Sequence, residues 1–164
     1  ADVGLNLPDP FSSERVFQVL TQVAGRAGRS VRGGKVILQT FQPEHPVIQA
    51  AAGHDYAGFY QGELENRRAL RYPPFGQLVR LEYRHRENDR AQVEAEKTAG
   101  RLKFRIDAEG RHQTTLIGPV PCFFSKLRGE YRWQIVLRGP NPVEILQGQR
   151  FDGWRVEVDP TSLL

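Results

Sequence analysis

The amino-acid sequence predicts an α+β fold. Several short segments in the second half of the chain alternate apolar with charged residues, which is typical of strands, and a long segment between the first two carries apolar residues at helical spacing. Glycine and proline pairs separate these segments. Hydrophobic residues make up 39% of the 164 residues and charged residues 26%, which favours a folded globular chain and excludes global disorder.

Residues 1–45 are expected to contribute a helix followed by a strand. The apolar positions of the helix are Val16, Leu20, Val23 and Ala24. Gly25 and Gly28 are expected to end it, because glycine favours the conformation that follows a helix. Residues 36–38 then form a short β-branched and aliphatic run that predicts a strand.

Residues 46–75 are predicted to form a helical connecting arm. Apolar and aromatic side chains recur along this segment on a loosely amphipathic surface, with charged residues between them. The arm should end at residues 72–75, where a proline pair cannot continue a helix.

Residues 76–164 contain a complete pattern of their own. Strands are predicted at residues 78–84, 114–117, 131–138 and 154–158. The helix between the first two buries Ala91, Ala95, Ala99, Leu102 and Ile106 on one face. Asn141 followed by Pro142 predicts the start of a second, shorter helix. With right-handed crossovers, this βαββαβ order predicts a ferredoxin-like sandwich, with two helices on one face of an antiparallel sheet.

The strand alternation places charged residues on the sheet face that the helices leave open. The candidate binding residues on this face are Arg80, Arg84, Arg132, Gln134, Arg138 and Arg155. Five arginines on an open sheet suit a phosphate backbone or an acidic peptide, in keeping with the net charge of +4. The alternative is a solvated face that Glu82 and Glu157 partly neutralise.

A second candidate site lies in residues 22–29, which read Q-x-x-G-R-x-G-R. The planar guanidinium group stays charged and can grip phosphate oxygens through two donors at once. Arg26 and Arg29 are therefore candidates for contacting a nucleotide. The alternative is that both merely offset the dipole at a helix C-terminus.

Motifs along nearly the whole chain resemble the PriA family of replication-restart helicases. The matching residues are Leu5, Leu7, Pro8, Asp9, Glu14, Arg15, Phe17, Gln18, residues 20–29, Gly34, Val36, Ile37, Gln39, Thr40, Pro43, His45, Pro46, Asp55, Tyr56, Phe59, Glu63, Leu64, Arg67, Leu70, residues 72–75, Gly118, Pro119, residues 131–134 and residues 158–160.

The resemblance implies that residues 1–45 are the end of a RecA-like second helicase lobe and contain its motif VI. Arg26 and Arg29 would then be catalytic, with Arg29 as the arginine finger, and Gln22 and Gly25 would face the nucleotide. ATP and magnesium would be held elsewhere in the full-length protein, because the chain has no G-x-x-x-x-G-K-[ST] loop. This chain alone should therefore be inactive. The family also binds zinc, but the single cysteine, Cys122, and four scattered histidines predict no metal site here.

The resemblance further implies the C-terminal part of an ATP-dependent 3′–5′ DNA helicase, which recognises stalled or branched forks and starts primosome assembly. Its expected partners are forked DNA, single-strand-binding protein and primosome proteins. No apolar run is long enough to cross a membrane, so the expected location is the cytoplasm. The competing hypothesis is a stand-alone module that binds nucleic acid or acidic peptides and has no motor activity.

Overall fold

The computed structural model describes residues 2–7, 9–27 and 35–164 and has an α+β architecture, as the sequence predicts. The helices are α1 (Asp2–Leu5), α2 (Ser12–Ala27), α3 (Pro46–Ala52), α4 (Tyr56–Leu70) and α5 (Asn88–Ala108), with a 3₁₀ helix at Pro142–Leu146. The strands are β1 (Gln77–His85), β2 (Thr115–Leu127), β3 (Glu130–Gly139) and β4 (Trp154–Val158). The chain forms two compact units, Ala1–Asn66 and Arg67–Leu164.

The first unit is helical, and its core forms where α2 meets α3. Val16 and Phe17 of α2 and Val47 and Ala51 of α3 are buried together. The ring of Phe17 stacks on that of Phe59, with 4.0 Å between the ring centroids. Val16 is one of the apolar positions that helical periodicity marks in the sequence, whereas Val23, another of them, is 49% exposed. Burial of the apolar face supplies most of what holds such short helices together.

Two local predictions in the first unit are wrong. The helix α2 continues through Gly25 to Ala27, because a glycine inside a helix costs only about 1 kcal/mol and does not by itself end one. Residues 36–38 form no strand, and the side chain of Ile37 is 83% exposed. A strand needs a neighbour for its backbone groups, and no pairing partner for this run occurs among the described residues. Gly28 lies outside the described residues.

The second unit is built on one antiparallel sheet with strand order β2-β3-β1-β4. One face packs on α5, and the core there contains Val79, Leu81, Ala99, Leu102, Ile106, Ile135, Leu137 and Ile145. Every second residue of β1 and β3 enters this core because successive side chains point to opposite faces of a strand. The strand alternation and the apolar face of α5 are therefore confirmed.

Two elements of the second unit differ from expectation. The predicted second helix is a five-residue 3₁₀ helix, which places Ile145 in the core before the chain turns at Gly148 with φ of 71°. Strand β2 runs to Leu127 and is interrupted twice in its pairing with β3. At the second interruption residues 122–125 stand opposite Arg132 alone, because Pro121 pairs with Trp133 and Lys126 pairs with Tyr131. We call residues 122–125 the β2 bulge.

The first interruption of β2 gives a stability prediction. Gly118 has φ of 97°, and a Cβ atom there would lie 2.8 Å from the carbonyl oxygen of Gln134. We expect Gly118→Ala to lower the free energy of unfolding by about 1–3 kcal/mol, measured by urea denaturation. The matched control is Gly100→Ala in α5, where nothing lies within 4 Å and alanine should stabilise the helix by about 0.5–1 kcal/mol. Equal stability of the two variants would contradict the prediction.

Candidate nucleic-acid interface

The six candidate binding residues of the sheet share one face, opposite α5. The strand register pairs Arg84 with Arg132, Glu82 with Gln134, and Leu78 with Arg138 across β1 and β3, and it pairs Glu82 with Arg155 across β1 and β4. Directly paired residues of antiparallel strands project to the same side. The sequence therefore predicts correctly which side chains lie together.

The expectation that this face is open is wrong for its centre. The side chains of Arg80 and Arg132 are only 6% and 7% exposed, and that of Glu82 is 1% exposed. Arg132 donates from Nε and Nη2 to the two carboxylate oxygens of Glu82, both at 2.9 Å, and Arg80 Nη2 lies 2.8 Å from Glu82 Oε2. A buried charge needs a partner, and here the carboxylate of Glu82 pairs with the guanidinium groups of both Arg80 and Arg132.

Polar neighbours complete this network at its edges. Arg84 donates to Glu82 Oε1, and Gln134 Oε1 accepts from Arg80 Nε at 3.0 Å. Glu157 lies 3.6 Å from Arg80 Nη1 and 2.8 Å from Arg155 Nη2. Gln134 is thus occupied by an internal hydrogen bond. We call Arg80, Glu82 and Arg132 the buried triad.

The surroundings of Glu82 change its acidity strongly. Burial by itself raises the pKa of the carboxyl group, but hydrogen bonds from Arg132 and Arg84 and the charges of Arg80 and Arg132 outweigh it and lower the pKa to about 2. The hydrogen bond to Glu82 in turn raises the pKa of Arg132. The carboxyl group of Glu82 is therefore ionised throughout the neutral range.

The buried triad also contacts the β2 bulge. Arg132 Nη1 donates to the carbonyl oxygen of Phe124 at 3.3 Å, and Arg80 Nη2 lies 3.7 Å from the sulfur of Cys122. Cys122 is 2% exposed, and burial raises the pKa of its thiol. Sequence reasoning missed the bulge itself. The sequence offers one signal for the bulge: the segment before the Arg128-Gly129 turn is longer than the segment after it, so the two cannot pair residue for residue.

Three candidate arginines keep exposed surface at the edge of the face. The side chains of Arg84 and Arg155 are 37% and 62% exposed. Arg138 is partly exposed, and its guanidinium carbon lies 5.3 Å from the centre of the Tyr72 ring. Only these three of the five arginines present charge to a ligand.

The candidate nucleotide residues lie near the end of α2. Gln22, Gly25 and Arg26 are exposed, and Gln22 and Arg26 stand four residues apart on one side of the helix. Arg29 lies outside the described residues. Two exposed donors on one helix face fit a phosphate group presented from outside, but the sequence contains no phosphate-binding loop that would hold a nucleotide.

Within residues 2–7, 9–27 and 35–164, no three side chains of His, Cys, Asp or Glu come together in a way that could hold a metal ion. None of the helices in this part of the chain combines the length and apolar character that crossing a membrane requires.

Comparison with known proteins identifies relatives over most of the chain. It is 40% identical to the replication restart protein PriA of Synechocystis over 89% of its length, and 42% identical to that of Bacillus subtilis over 84%. It is 37% identical to that of Treponema pallidum over its whole length. The chain spans 17%, 17% and 26% of these three relatives, respectively.

The sequence profile of one family, the primosomal protein N C-terminal domain, matches residues 68–161. This range covers the four-stranded sheet, the helix α5 and the buried triad. The resemblance that the sequence motifs indicate is thereby confirmed, and the chain belongs to the primosomal protein N C-terminal domain family.

Proposed function

We propose that this chain is the C-terminal part of an ATP-dependent 3′–5′ DNA helicase of the PriA type, which recognises branched forks and starts primosome assembly. The observation that carries the proposal is the extent of the match to replication restart proteins, which covers 84–100% of the chain in three relatives. Single-strand-binding protein and primosome proteins are the proposed protein partners, and forked DNA is the proposed nucleic-acid ligand.

The proposed organisation has three parts. Residues 1–45 end the second motor lobe, residues 46–75 form a connecting arm, and residues 76–164 form a ferredoxin-like domain that binds DNA or partners. The antiparallel order β2-β3-β1-β4 supports the ferredoxin-like assignment, with a 3₁₀ helix in the place of the second α-helix.

In the motor, Gln22, Arg26 and Arg29 would face ATP held with magnesium by the other lobe. ATP supplies the phosphoryl group whose transfer to water drives the motor. The guanidinium of Arg29 would stabilise the charge that spreads over this group in the transition state, while Gln22 and Arg26 would orient it. The exposure of Gln22 and Arg26 on one side of α2 supports this role.

In the C-terminal domain, the exposed arginines Arg84, Arg138 and Arg155 would bind phosphates of the DNA backbone. Neutralising all three as glutamine should reduce the affinity for forked DNA. The slope of log affinity against log salt concentration should become shallower by about 2–3, since each phosphate contact contributes about 0.9. Fluorescence anisotropy with a labelled fork at several salt concentrations measures both quantities.

The matched control removes the same charge from the opposite side of the second unit. Arg90 and Lys97 are exposed on α5, and Arg150 lies in the loop beside it, where its carbonyl accepts from Arg101. Changing these three residues to glutamine should affect the salt slope much less. Equal effects of the two triple variants would mean that only net charge matters, and would sink the assignment of the interface.

A further inference from the structure

The β2 bulge presents two adjacent aromatic rings to solvent. Phe123 is 50% exposed and Phe124 is 56% exposed. Their ring centroids are 5.0 Å apart, and the ring planes are nearly perpendicular. Neither residue belongs to the buried cores of the two units. Exposed phenylalanine loses the free energy that burial provides, so two neighbouring exposed rings form an apolar patch that is available to a ligand.

The bulge has internal supports that hold these rings in place. Within the bulge, Cys122 is buried against Arg80, and the carbonyl of Phe124 accepts from Arg132. Both arginines are fixed by Glu82. The exposed pair therefore stands on a buried, charged framework and not on a loose loop tip.

The charges around the pair favour an anionic ligand. The end of the β2–β3 hairpin next to the bulge carries two exposed basic residues, Lys126 and Arg128, and one partly exposed acidic residue, Glu130. The ammonium group of Lys126 lies 4.5 Å from the centre of the Tyr131 ring, close to the bulge in sequence and in the ladder. Aromatic faces next to cations suit a chain that has both flat rings and negative charges.

Single-stranded DNA has this combination, whereas the bases of a duplex are already stacked on one another and unavailable. We propose that Phe123 and Phe124 form a stacking platform for unpaired bases of single-stranded DNA. The neighbouring cations hold the phosphates, and Arg132 is a positioning residue that fixes the bulge. This inference rests on the proposed function, since it assigns the single-stranded part of a fork to one end of the sheet.

The test separates stacking from attraction to phosphate. The 164-residue chain is titrated with a labelled oligothymidylate and with an abasic strand of equal length, which has the same phosphates and no bases. We expect the wild-type chain to bind the oligothymidylate about tenfold or more tightly than the abasic strand. Phe123→Ala combined with Phe124→Ala should remove this preference and leave the affinity for the abasic strand unchanged.

Phe104→Ala is the matched control, because Phe104 is 76% exposed on α5, away from the hairpin. It should keep the preference for bases. Thermal unfolding of the double variant should match the wild type, since the two rings are outside the core. Binding of the fork without any preference for bases overturns the stacking platform alone, whereas failure to bind either strand or the fork overturns the proposed DNA binding as well. Equal losses of affinity for the two strands would also overturn the stacking platform, because they would place the phenylalanines in phosphate binding or in folding.

Discussion

Replacing Glu82 by glutamine is expected to lower the free energy of unfolding by about 3–5 kcal/mol, the cost of removing one partner from a buried ion pair. Glutamine keeps the shape of the side chain but removes the negative charge that neutralises Arg80 and Arg132. Both guanidinium groups would then remain almost fully buried with no carboxylate between them. Urea denaturation followed by circular dichroism measures the loss.

The matched control is Glu157→Gln. Glu157 belongs to the same network, but its side chain is 28% exposed and its oxygen is 3.6 Å from Arg80. We expect this change to cost less than about 1 kcal/mol, because water screens a pair of this kind. If Glu82→Gln were as mild as Glu157→Gln, the triad would be reached by water and would not hold a buried charge.

The lowered pKa of Glu82 predicts that the free energy of unfolding decreases in acid. The pKa of Glu82 is lowered from 4.5 to about 2 in the folded chain, so the unfolded state binds a proton first as the pH falls. The contribution of Glu82 to stability is therefore complete above pH 4.5 and is lost as the pH falls towards 2. Its size is about 3 kcal/mol, at about 1.4 kcal/mol for each pKa unit. The Glu82→Gln variant should lack this part of the pH dependence.

The buried triad need not exist for stability alone. Apolar residues of similar volume often replace a buried ion pair without loss, because desolvation of the charges offsets their attraction. An apolar side chain at position 132, however, could not donate to the carbonyl of Phe124. The position of the β2 bulge therefore depends on the donor that Arg132 supplies and that Glu82 holds in place, which links the acid-sensitive network to the proposed platform.

The sequence predicts which residues share a face but not what covers that face. Alternation along β1 and β3 correctly separates Leu81 and Ile135 from Arg80 and Arg132, since it depends only on the geometry of a strand. The burial of both arginines depends on the β2 bulge, which forms only when strands of unequal length pair. Local pattern contains no information about that pairing.

The same distinction explains the errors in the first unit. A run of apolar residues at 36–38 has strand propensity, but propensity does not supply a neighbouring strand. Gly25 is favourable at a helix end, yet one glycine costs too little to end a helix, and Ala24 and Ala27 nearby favour its continuation. As a consequence of that continuation, Arg26 lies on the same exposed helix as Gln22.

In a full-length protein that contains the complete motor, Arg29→Ala is expected to lower the DNA-stimulated rate of ATP hydrolysis by about 10³-fold or more. The reason is that an arginine finger acts on charge that develops only in the transition state, so kcat should fall while the affinity for ATP changes little. Arg29→Lys should recover only a small part of the rate, because a single ammonium group lacks the planar pair of donors that spans two phosphoryl oxygens.

Two controls make this result specific to the proposed catalytic role. The Arg29→Ala protein should bind forked DNA as tightly as the wild type, since the exposed arginines of the sheet lie in the other unit. The 164-residue chain by itself should show no hydrolysis, because it lacks a phosphate-binding loop. An unchanged kcat in Arg29→Ala would remove Arg29 from the active site, and hydrolysis by the isolated chain would contradict the division of that site between two lobes.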